Sequence, residues 1–225
     1  MSNLTLLIPA KYEAECLPYF LEELQRYNYK KIVILDQNDS KTVEATKLFK
    51  DVEILYQKNN GYGNALIEGI NHTATEFFSI INADGSMDPI ELEKMLNEIE
   101  KNNNDIVFGS RYMKNAGSED DDLVTKIGNF VFSLIGKILF RLQISDILYT
   151  YVVAKTQLVK DLKLQSGDFK FCVELPIKVH RKKYNYISYP CFERKRIAGK
   201  KKVSPLIDGF KILMGMVYLF LIDRS

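Results

Sequence analysis

The first half of the chain alternates between short apolar runs and longer segments whose apolar residues recur three or four positions apart. The short runs predict buried strands, at Leu4–Pro9, Lys31–Leu35, Val52–Tyr56, Glu76–Ile81 and Asp105–Gly109. The longer segments predict helices, at Glu13–Asn28, Ser40–Lys50, Gly61–Thr73 and Asp88–Lys101. Strand–helix units repeated at this length indicate a mostly parallel central sheet flanked by helices, so the predicted fold class is α/β.

The second half of the chain begins with the acidic run Glu119–Asp122 and then becomes strongly apolar. A helix is predicted over Val124–Leu142, with a polar stripe formed by Ser133, Lys137 and Arg141. The other predicted elements are strand Leu148–Ala154, helix Phe171–Lys183, strand Tyr186–Tyr189 and a final helix from Leu206. We predict one domain over residues 1–205 and an apolar C-terminal helix over residues 206–225.

The two apolar helices bear on whether the protein meets a membrane. The run Ile212–Ile222 is shorter than the roughly 20 residues that a spanning helix needs. Each helix can lie in the plane of a membrane interface or pack in the protein core, and the pattern leaves both open. The start of the chain lacks a basic segment followed by an apolar one, so we expect no signal peptide. The expected location is cytoplasmic, at the cytoplasmic face of a membrane.

Composition narrows the classes of function. The net charge of +2 provides no strong overall field for nucleic acid or membrane. The three cysteines include no CxxC pair, and the two histidines lie far apart in the sequence. These features argue against a disulfide framework and against a zinc site.

Charged side chains follow the predicted strands at the positions where a parallel α/β sheet binds ligands, beyond the carboxyl ends of its strands. The loops after the first, second, fourth and fifth strands hold Glu13, Asp36, Asp84 and Arg111. Asp84, beside Gly85, can hold a divalent cation on a diphosphate, or it can belong to an ordinary Asp-Gly turn.

Other candidates also have a structural interpretation. Asp36 can accept hydrogen bonds from a nucleoside or cap the next helix, and Arg111 can bind a phosphate or form a surface ion pair. The segment Asn60–Gly63 can bring backbone N–H groups to an anion or form a tight turn. Asp146 is a site carboxylate or a cap.

The segment Arg194–Lys202 contains six basic residues in nine. It can be a solvated loop, or it can bind anionic lipid head groups, a nucleotide diphosphate or nucleic acid. The apolar helix that follows, and the lack of interleaved aromatic residues, favour a membrane or a nucleotide over nucleic acid.

Six segments, in order, resemble glycosyltransferase family 2, and the chain is most similar to the dolichyl- and polyprenyl-phosphate mannose and glucose synthases. These segments are Ile8–Glu15, Asp36–Thr42, Asn60–Ala65, Asn82–Pro89, Asp105–Arg111 and Arg194–Lys202. The resemblance implies a GT-A fold and the inverting transfer of a hexose from a GDP- or UDP-linked sugar to a polyprenyl phosphate.

The resemblance also implies roles for particular residues. The donor nucleotide would contact Pro9, Glu13, Asp36, Gly63, Asn82, Asp84, Arg196 and Lys202. The metal, Mg²⁺ or Mn²⁺, would be held by Asp84 with Asn82 as a weak second ligand. Arg111 and Lys126 would hold the acceptor phosphate, and Asp146 would lie near the reacting sugar.

The chain departs from the family pattern at several of these positions. Asn82 stands where the family usually has aspartate, Ser86 where the synthases often have glutamine, and Leu35 replaces an acidic residue. Lys11 stands where an aromatic often stacks on the base, and Val152 replaces a frequent arginine. Two alternatives therefore stay open, namely a transferase with a glycan acceptor and a degenerate nucleotide-sugar-binding homologue. We expect no nucleic-acid partner.

Overall fold

The computed structural model describes residues 3–199 and 201–223. Its strands are β1 (Leu4–Ala10), β2 (Lys30–Leu35), β3 (Val52–Tyr56), β4 (Phe77–Ile80), β5 (Ile106–Ser110), β6 (Gly117–Ser118), β7 (Val152–Lys155), β8 (Tyr186–Pro190) and β9 (Phe192–Glu193). Its helices are α1 (Leu17–Leu24), α2 (Ser40–Thr46), α3 (Tyr62–His72), α4 (Ile90–Asn102), α5 (Leu123–Phe140), α6 (Thr156–Asp161), α7 (Phe171–Arg181) and α8 (Pro205–Leu221).

Seven strands form the central sheet, in the order β3-β2-β1-β4-β7-β5-β8. Strand β7 runs antiparallel to β4 and β5, and the other neighbouring strands are parallel. The prediction of a mostly parallel α/β sheet is confirmed. The apolar runs are continuous because both faces of the sheet are covered, which buries successive side chains on opposite sides.

Two cores cover the two faces of this sheet. Leu6 and Ile8 of β1 face a core with α1, α2 and α4, whereas Leu7 faces a core with α3, α6 and α7. A third core lies between α5, α7 and α8 and includes Ile212 and Met216. The C-terminal helix is therefore packed on the domain along one side. The division at residue 205 stays a prediction, and residues 1, 2, 224 and 225 lie outside the described residues.

The element boundaries differ from the predicted ones where turn chemistry intervenes. Helix α1 begins at Leu17 rather than Glu13, and Pro18 lies in its first turn, where a missing N–H costs nothing. Strand β7 begins at Val152 rather than Leu148. The pattern did not predict the two-stranded sheet of β6 and β9 or the six-residue helix α6, because such short elements carry too few periods.

Candidate active site

Asp84 lies just beyond the carboxyl end of β4, in a turn that binds one of its two carboxylate oxygens. Oδ1 accepts hydrogen bonds from the Ser86 N–H (3.1 Å) and hydroxyl (2.8 Å). Oδ2 lies 3.5 Å from Nη1 of Arg196. Asp84 therefore belongs both to a turn and to the candidate site. Its Oδ1 is held by the turn, and its Oδ2 faces the guanidinium group of Arg196.

The donor groups around Asp84 fit a metal ion that arrives with a diphosphate. Within residues 3–199 and 201–223, no group of three His, Cys, Asp or Glu side chains is placed to hold a metal ion. The amide oxygen of Asn82, the predicted weak ligand, accepts a hydrogen bond from the Tyr62 hydroxyl (3.3 Å). Mg²⁺ commonly uses one or two carboxylates together with substrate phosphates. Asp84 and two phosphate oxygens would satisfy that pattern.

Glu13 lies in the loop after β1 and is held from two sides. Lys202 forms an ion pair with it, and the Cys16 thiol donates a hydrogen bond to its Oε2 (2.7 Å). Burial, with the charge of Asp84, raises the pKa of Cys16 to about 11, so the thiol keeps the proton that it donates. The structure therefore pairs four of the residues predicted for the donor site: Glu13 contacts Lys202, and Asp84 contacts Arg196.

Asp36 follows β2, and its Oδ1 accepts from the N–H and the amide of Asn38, both at 3.0 Å. The alternative in which Asp36 caps the next helix is wrong, because Asp39 caps α2 through the Thr42 N–H. Asp39 also accepts from the Tyr12 N–H and so joins the loops after β1 and β2. The sequence reasoning missed Asp39, although an aspartate three positions before Thr42 is a cap signal.

Pro9 is the partly exposed residue of β1, at the carboxyl end of that strand. Gly63 needs a correction, because the backbone of residues 166–168 covers it. A Cβ at Gly63 would lie 2.0 Å from the Ser166 carbonyl oxygen, and the Asn64 N–H donates to the Gly167 carbonyl (3.0 Å). The glycine serves close packing between α3 and this loop rather than an approach to a nucleotide.

We expect Gly63→Ala to lower the free energy of unfolding by about 3 kcal/mol, since the added methyl group must displace backbone. Gly128→Ala is the control, because a Cβ there meets nothing within 4 Å. Alanine in a helix should raise stability at this second site by about 1 kcal/mol. Urea unfolding of both variants measures the difference, and equal stabilities would contradict the packing described here.

Arg111 ends up inside the protein rather than at the surface, at 7% exposure. Among the described residues its side chain donates four hydrogen bonds, two to Asp146 (2.8 and 3.0 Å), one to Asp121 (3.0 Å) and one to Glu193 (3.1 Å). Burial alone would lower the pKa of Arg111, but the charges of these carboxylates raise it well above its usual value. Burial raises the pKa of Glu193 despite the nearby guanidinium.

These contacts correct two predictions. Arg111 has most of its N–H groups on carboxylates, so it is poorly placed to hold an acceptor phosphate. Asp146 is 1% exposed and accepts from Arg111 and from the Asn129 amide (2.6 Å), so it cannot touch a sugar without rearrangement. Both alternatives, the surface ion pair and the cap, are also wrong. Asp121 lies 10 positions from Arg111 and Glu193 lies 82 positions away, and both were missed because no local pattern joins either of them to Arg111.

In the basic segment, Arg194, Arg196, Lys201 and Lys202 form ion pairs, whereas Lys195 is exposed. Arg194 contacts Glu23 (2.8 and 3.1 Å) and the Gly85 carbonyl, and Arg196 contacts Asp120 (3.0 and 2.7 Å). Backbone bonds also attach the segment to the Asp84 turn, since the Ile197 N–H donates to the Asp84 carbonyl (2.9 Å). Lys200 lies outside the described residues. Lys126 is exposed on the first turn of α5.

Helices α5 and α8 pack side by side and turn large apolar side chains outward. We call this surface the α5/α8 face, and its members are Leu123, Val124, Ile127, Phe130, Val131, Leu134, Ile138, Leu139, Leu206, Ile207, Phe210, Leu213, Met214, Val217, Tyr218, Phe220 and Leu221. Contiguous apolar surface of this extent marks an interaction site on a monomer. By length and composition, α5 is the one helix in the described part of the chain that can cross a membrane, with a mean hydropathy of 1.6.

The comparisons with known proteins agree with this architecture. The family model described as Glycosyl transferase family 2 matches residues 5–162, more than half of the chain. The chain therefore belongs to glycosyl transferase family 2 and is a glycosyltransferase.

Three proteins are similar to this chain in sequence or in fold. An uncharacterized glycosyltransferase of Mycobacterium tuberculosis H37Rv is 26% identical over 205 residues, which cover 91% of each chain. The dolichol-phosphate mannosyltransferase of Pyrococcus furiosus is 25% identical over 186 residues, or 78% of this chain and 53% of that protein. Glucosyl-3-phosphoglycerate synthase of M. tuberculosis, in complex with Mn²⁺, UDP and glucosyl-3-phosphoglycerate, superposes with a TM-score of 0.76 at 11% identity, covering 96% of this chain and 79% of that one. This structural match shows that the fold is GT-A.

Proposed function

We propose that this chain transfers a hexose from a nucleotide diphosphate sugar to a polyprenyl phosphate at a membrane surface, with inversion. The observation that carries the proposal is the position of Asp84. The Oδ2 atom of Asp84, which the turn leaves unbound, faces Arg196 just beyond the end of β4. The same domain presents the apolar α5/α8 face.

The donor side of the proposal assigns each residue a task. Asp84 would hold Mg²⁺ or Mn²⁺ together with the diphosphate, and the metal would neutralise charge on the leaving nucleotide. Arg196 and Lys202 supply positive charge on the segment that covers the Asp84 turn. Asp36 keeps one carboxylate oxygen outside its contact with Asn38 and can accept hydrogen bonds from a ribose or base. Glucosyl-3-phosphoglycerate synthase, which shares the fold, is in complex with Mn²⁺ and UDP, and this supports a metal ion and a nucleotide diphosphate as ligands of this chain.

The acceptor side requires positioning more than proton transfer. A phosphate monoester is an anion at neutral pH, so it can attack the sugar without a general base, and the protein contributes orientation and charge. Lys126 is the exposed cation at the start of α5, next to the Asp120–Asp122 segment. Arg111, beneath that segment, would act indirectly by holding Asp121, Asp146 and Glu193 in place.

The lipid part of the proposal rests on how α5 is attached. Asn129 and Ser133 lie on the side of α5 that faces the protein, where Asn129 binds Asp146 and Ser133 accepts from the Ile147 N–H (3.2 Å). A helix anchored along one side presents only its other side outward. It therefore suits a position in the plane of a membrane interface, with α8 beside it.

The test is a transfer assay with the purified protein, labelled UDP- and GDP-linked hexoses, and Mn²⁺ or Mg²⁺. A short polyprenyl phosphate, 3-phosphoglycerate and an oligosaccharide serve as parallel acceptors. The proposal expects label in the organic phase only with polyprenyl phosphate. Label in a water-soluble product would favour a glycan or small-molecule acceptor. Donor binding without transfer to any acceptor would favour the nucleotide-sugar-binding alternative and contradict the proposal.

A further inference from the structure

The three aspartates of the acidic segment Glu119–Asp122 differ in their main contacts, although Lys201 lies near both Asp120 (4.0 Å) and Asp122 (3.4 Å). Asp121 binds Arg111, Asp122 caps α5 through the Thr125 N–H, and Asp120 binds Arg196. Only Asp120 contacts a side chain that also faces Asp84. The contact of Asp120 therefore bears directly on the donor site.

Arg196 is held along one edge of its guanidinium group. Nε and Nη2 donate to the two oxygens of Asp120 at 3.0 and 2.7 Å, a bidentate geometry that determines the plane of the group. Nη1 lies on the other edge, 3.5 Å from Oδ2 of Asp84. Burial would raise the pKa of Asp120, but the hydrogen bonds and charge of Arg196 outweigh it and lower that pKa, so this pair is ionic over the neutral range.

Asp120 is itself anchored to the protein. The hydroxyl of Ser118 accepts from the N–H groups of Asp120 (3.1 Å) and Asp121 (2.9 Å) and donates to Glu193. Ser118 belongs to β6 and Glu193 to β9, the two strands of the small sheet. A rigid support therefore runs from the small sheet, through Asp120, to the guanidinium that faces Asp84.

We propose that Asp120 is a positioning residue for the donor diphosphate, because it holds Arg196 so that Nη1 points at the oxygen of Asp84 where the metal and diphosphate would sit. This inference rests on the proposed function of the donor site. Without Asp120, Arg196 would be able to move from its present 3.5 Å into direct contact with Asp84 and would compete with the metal for that oxygen. The loss of Asp120 would thus have two effects: it would misplace the guanidinium group of Arg196, and it would weaken metal binding by Asp84.

Removal of Asp120 should leave the basic segment attached. Backbone bonds from Arg194 to Ser86 (2.8 Å) and from Ile197 to Asp84 (2.9 Å) hold the segment independently of Asp120, as does the ion pair of Arg194 with Glu23. Asp120→Asn is a close match in size, but it removes the negative charge and replaces one acceptor oxygen with an NH₂ group that only donates, so the bidentate contact with Arg196 is lost. The variant therefore removes the positioning contact with little effect on the fold.

The experiment compares Asp120→Asn with Asp122→Asn, a neighbouring loss of charge at a capping position where asparagine caps equally well. Asp122→Asn weakens an ion pair with Lys201 (3.4 Å) rather than the contact with Arg196. Calorimetric titration with UDP and with GDP in Mn²⁺, and steady-state KM and kcat for the donor sugar, are the readouts. We expect Asp120→Asn to weaken nucleotide binding and raise the donor KM about tenfold, with kcat changed less than threefold. Asp122→Asn should stay within twofold of the wild type, and Asp120→Glu should recover part of the loss.

A double-mutant cycle with Arg196→Ala separates positioning from general structural damage. In the Arg196→Ala background, Asp120→Asn should have no further effect on nucleotide binding. An equal loss in both backgrounds, or unchanged binding by Asp120→Asn alone, would overturn this inference while the proposed function stands. Failure of the wild-type protein to bind either nucleotide would overturn the proposed function and this inference with it.

Discussion

Replacing Asp84 with asparagine is expected to reduce kcat/KM for hexose transfer by about a thousandfold, since it removes the carboxylate proposed to hold the metal and diphosphate. The fold should survive, because the asparagine oxygen can still accept from the Ser86 N–H and hydroxyl. Binding of UDP or GDP in the presence of Mn²⁺ should become independent of the metal concentration. Initial rates and calorimetric titration over a series of Mn²⁺ concentrations measure both effects.

Asp88→Asn is the matched control for this prediction. Asp88 lies just before α4 and accepts from the Ile90 N–H, a contact that asparagine can also make. Its Oδ1 is 4.0 Å from Arg194, which Glu23 holds at 2.8 Å. It should keep activity within a few-fold of the wild type. If Asp84→Asn retains a metal-dependent affinity equal to that of the wild type, the diphosphate has been placed wrongly and the donor-site proposal fails.

The second large effect concerns the α5/α8 face. The double variant Phe130→Glu/Phe210→Glu should bind anionic phospholipid vesicles about a hundredfold more weakly than the wild type. Burial of each large apolar side chain in the membrane contributes about 1.5–3 kcal/mol, and the introduced charges oppose insertion. Phe130 and Phe210 are 67% and 65% exposed, so the substitutions should leave the core unchanged. Vesicle sedimentation at several lipid concentrations gives the partition coefficients.

Leu48→Glu controls for the simple replacement of an exposed apolar residue by a charge. Leu48 is 78% exposed, follows α2 and is not part of the α5/α8 face. It should bind vesicles as the wild type does. Equal binding by the double variant and the wild type would show that these helices do not meet the bilayer, and the acceptor would then have to reach the site from water.

The candidate site shows where prediction from sequence succeeded. Asp84, Glu13 and Asp36 were expected at strand ends because parallel strands bring their carboxyl ends to one edge of a sheet. The structure places Asp84 and Glu13 beside Arg196 and Lys202 of the basic segment, residues that the family resemblance assigned to the same donor site. These positions follow from local patterns, since a continuous apolar run ends where the strand leaves the core.

The same reasoning failed at Gly63 and Arg111. A glycine at a helix start signals a close approach of something to the backbone, but the approaching group is the 166–168 loop, about 100 positions further along the chain. Arg111 occurs in a motif that suggests phosphate binding, yet its partners are Asp121, Asp146 and Glu193. An isolated segment contains no information about which distant carboxylate will share its burial.

Local sequence patterns predict the α/β class, the mostly parallel sheet and the carboxylate at the end of β4, because hydrophobic periodicity and strand-end polarity are local properties. Which cation faces which carboxylate depends on the three-dimensional packing, as in the pairs of Arg196 with Asp120 and of Lys202 with Glu13. The packing also determines which sides of α5 and α8 are outward. Charge pairing and helix packing are settled by distant segments that compete for the same buried volume, and a one-dimensional pattern does not record that competition.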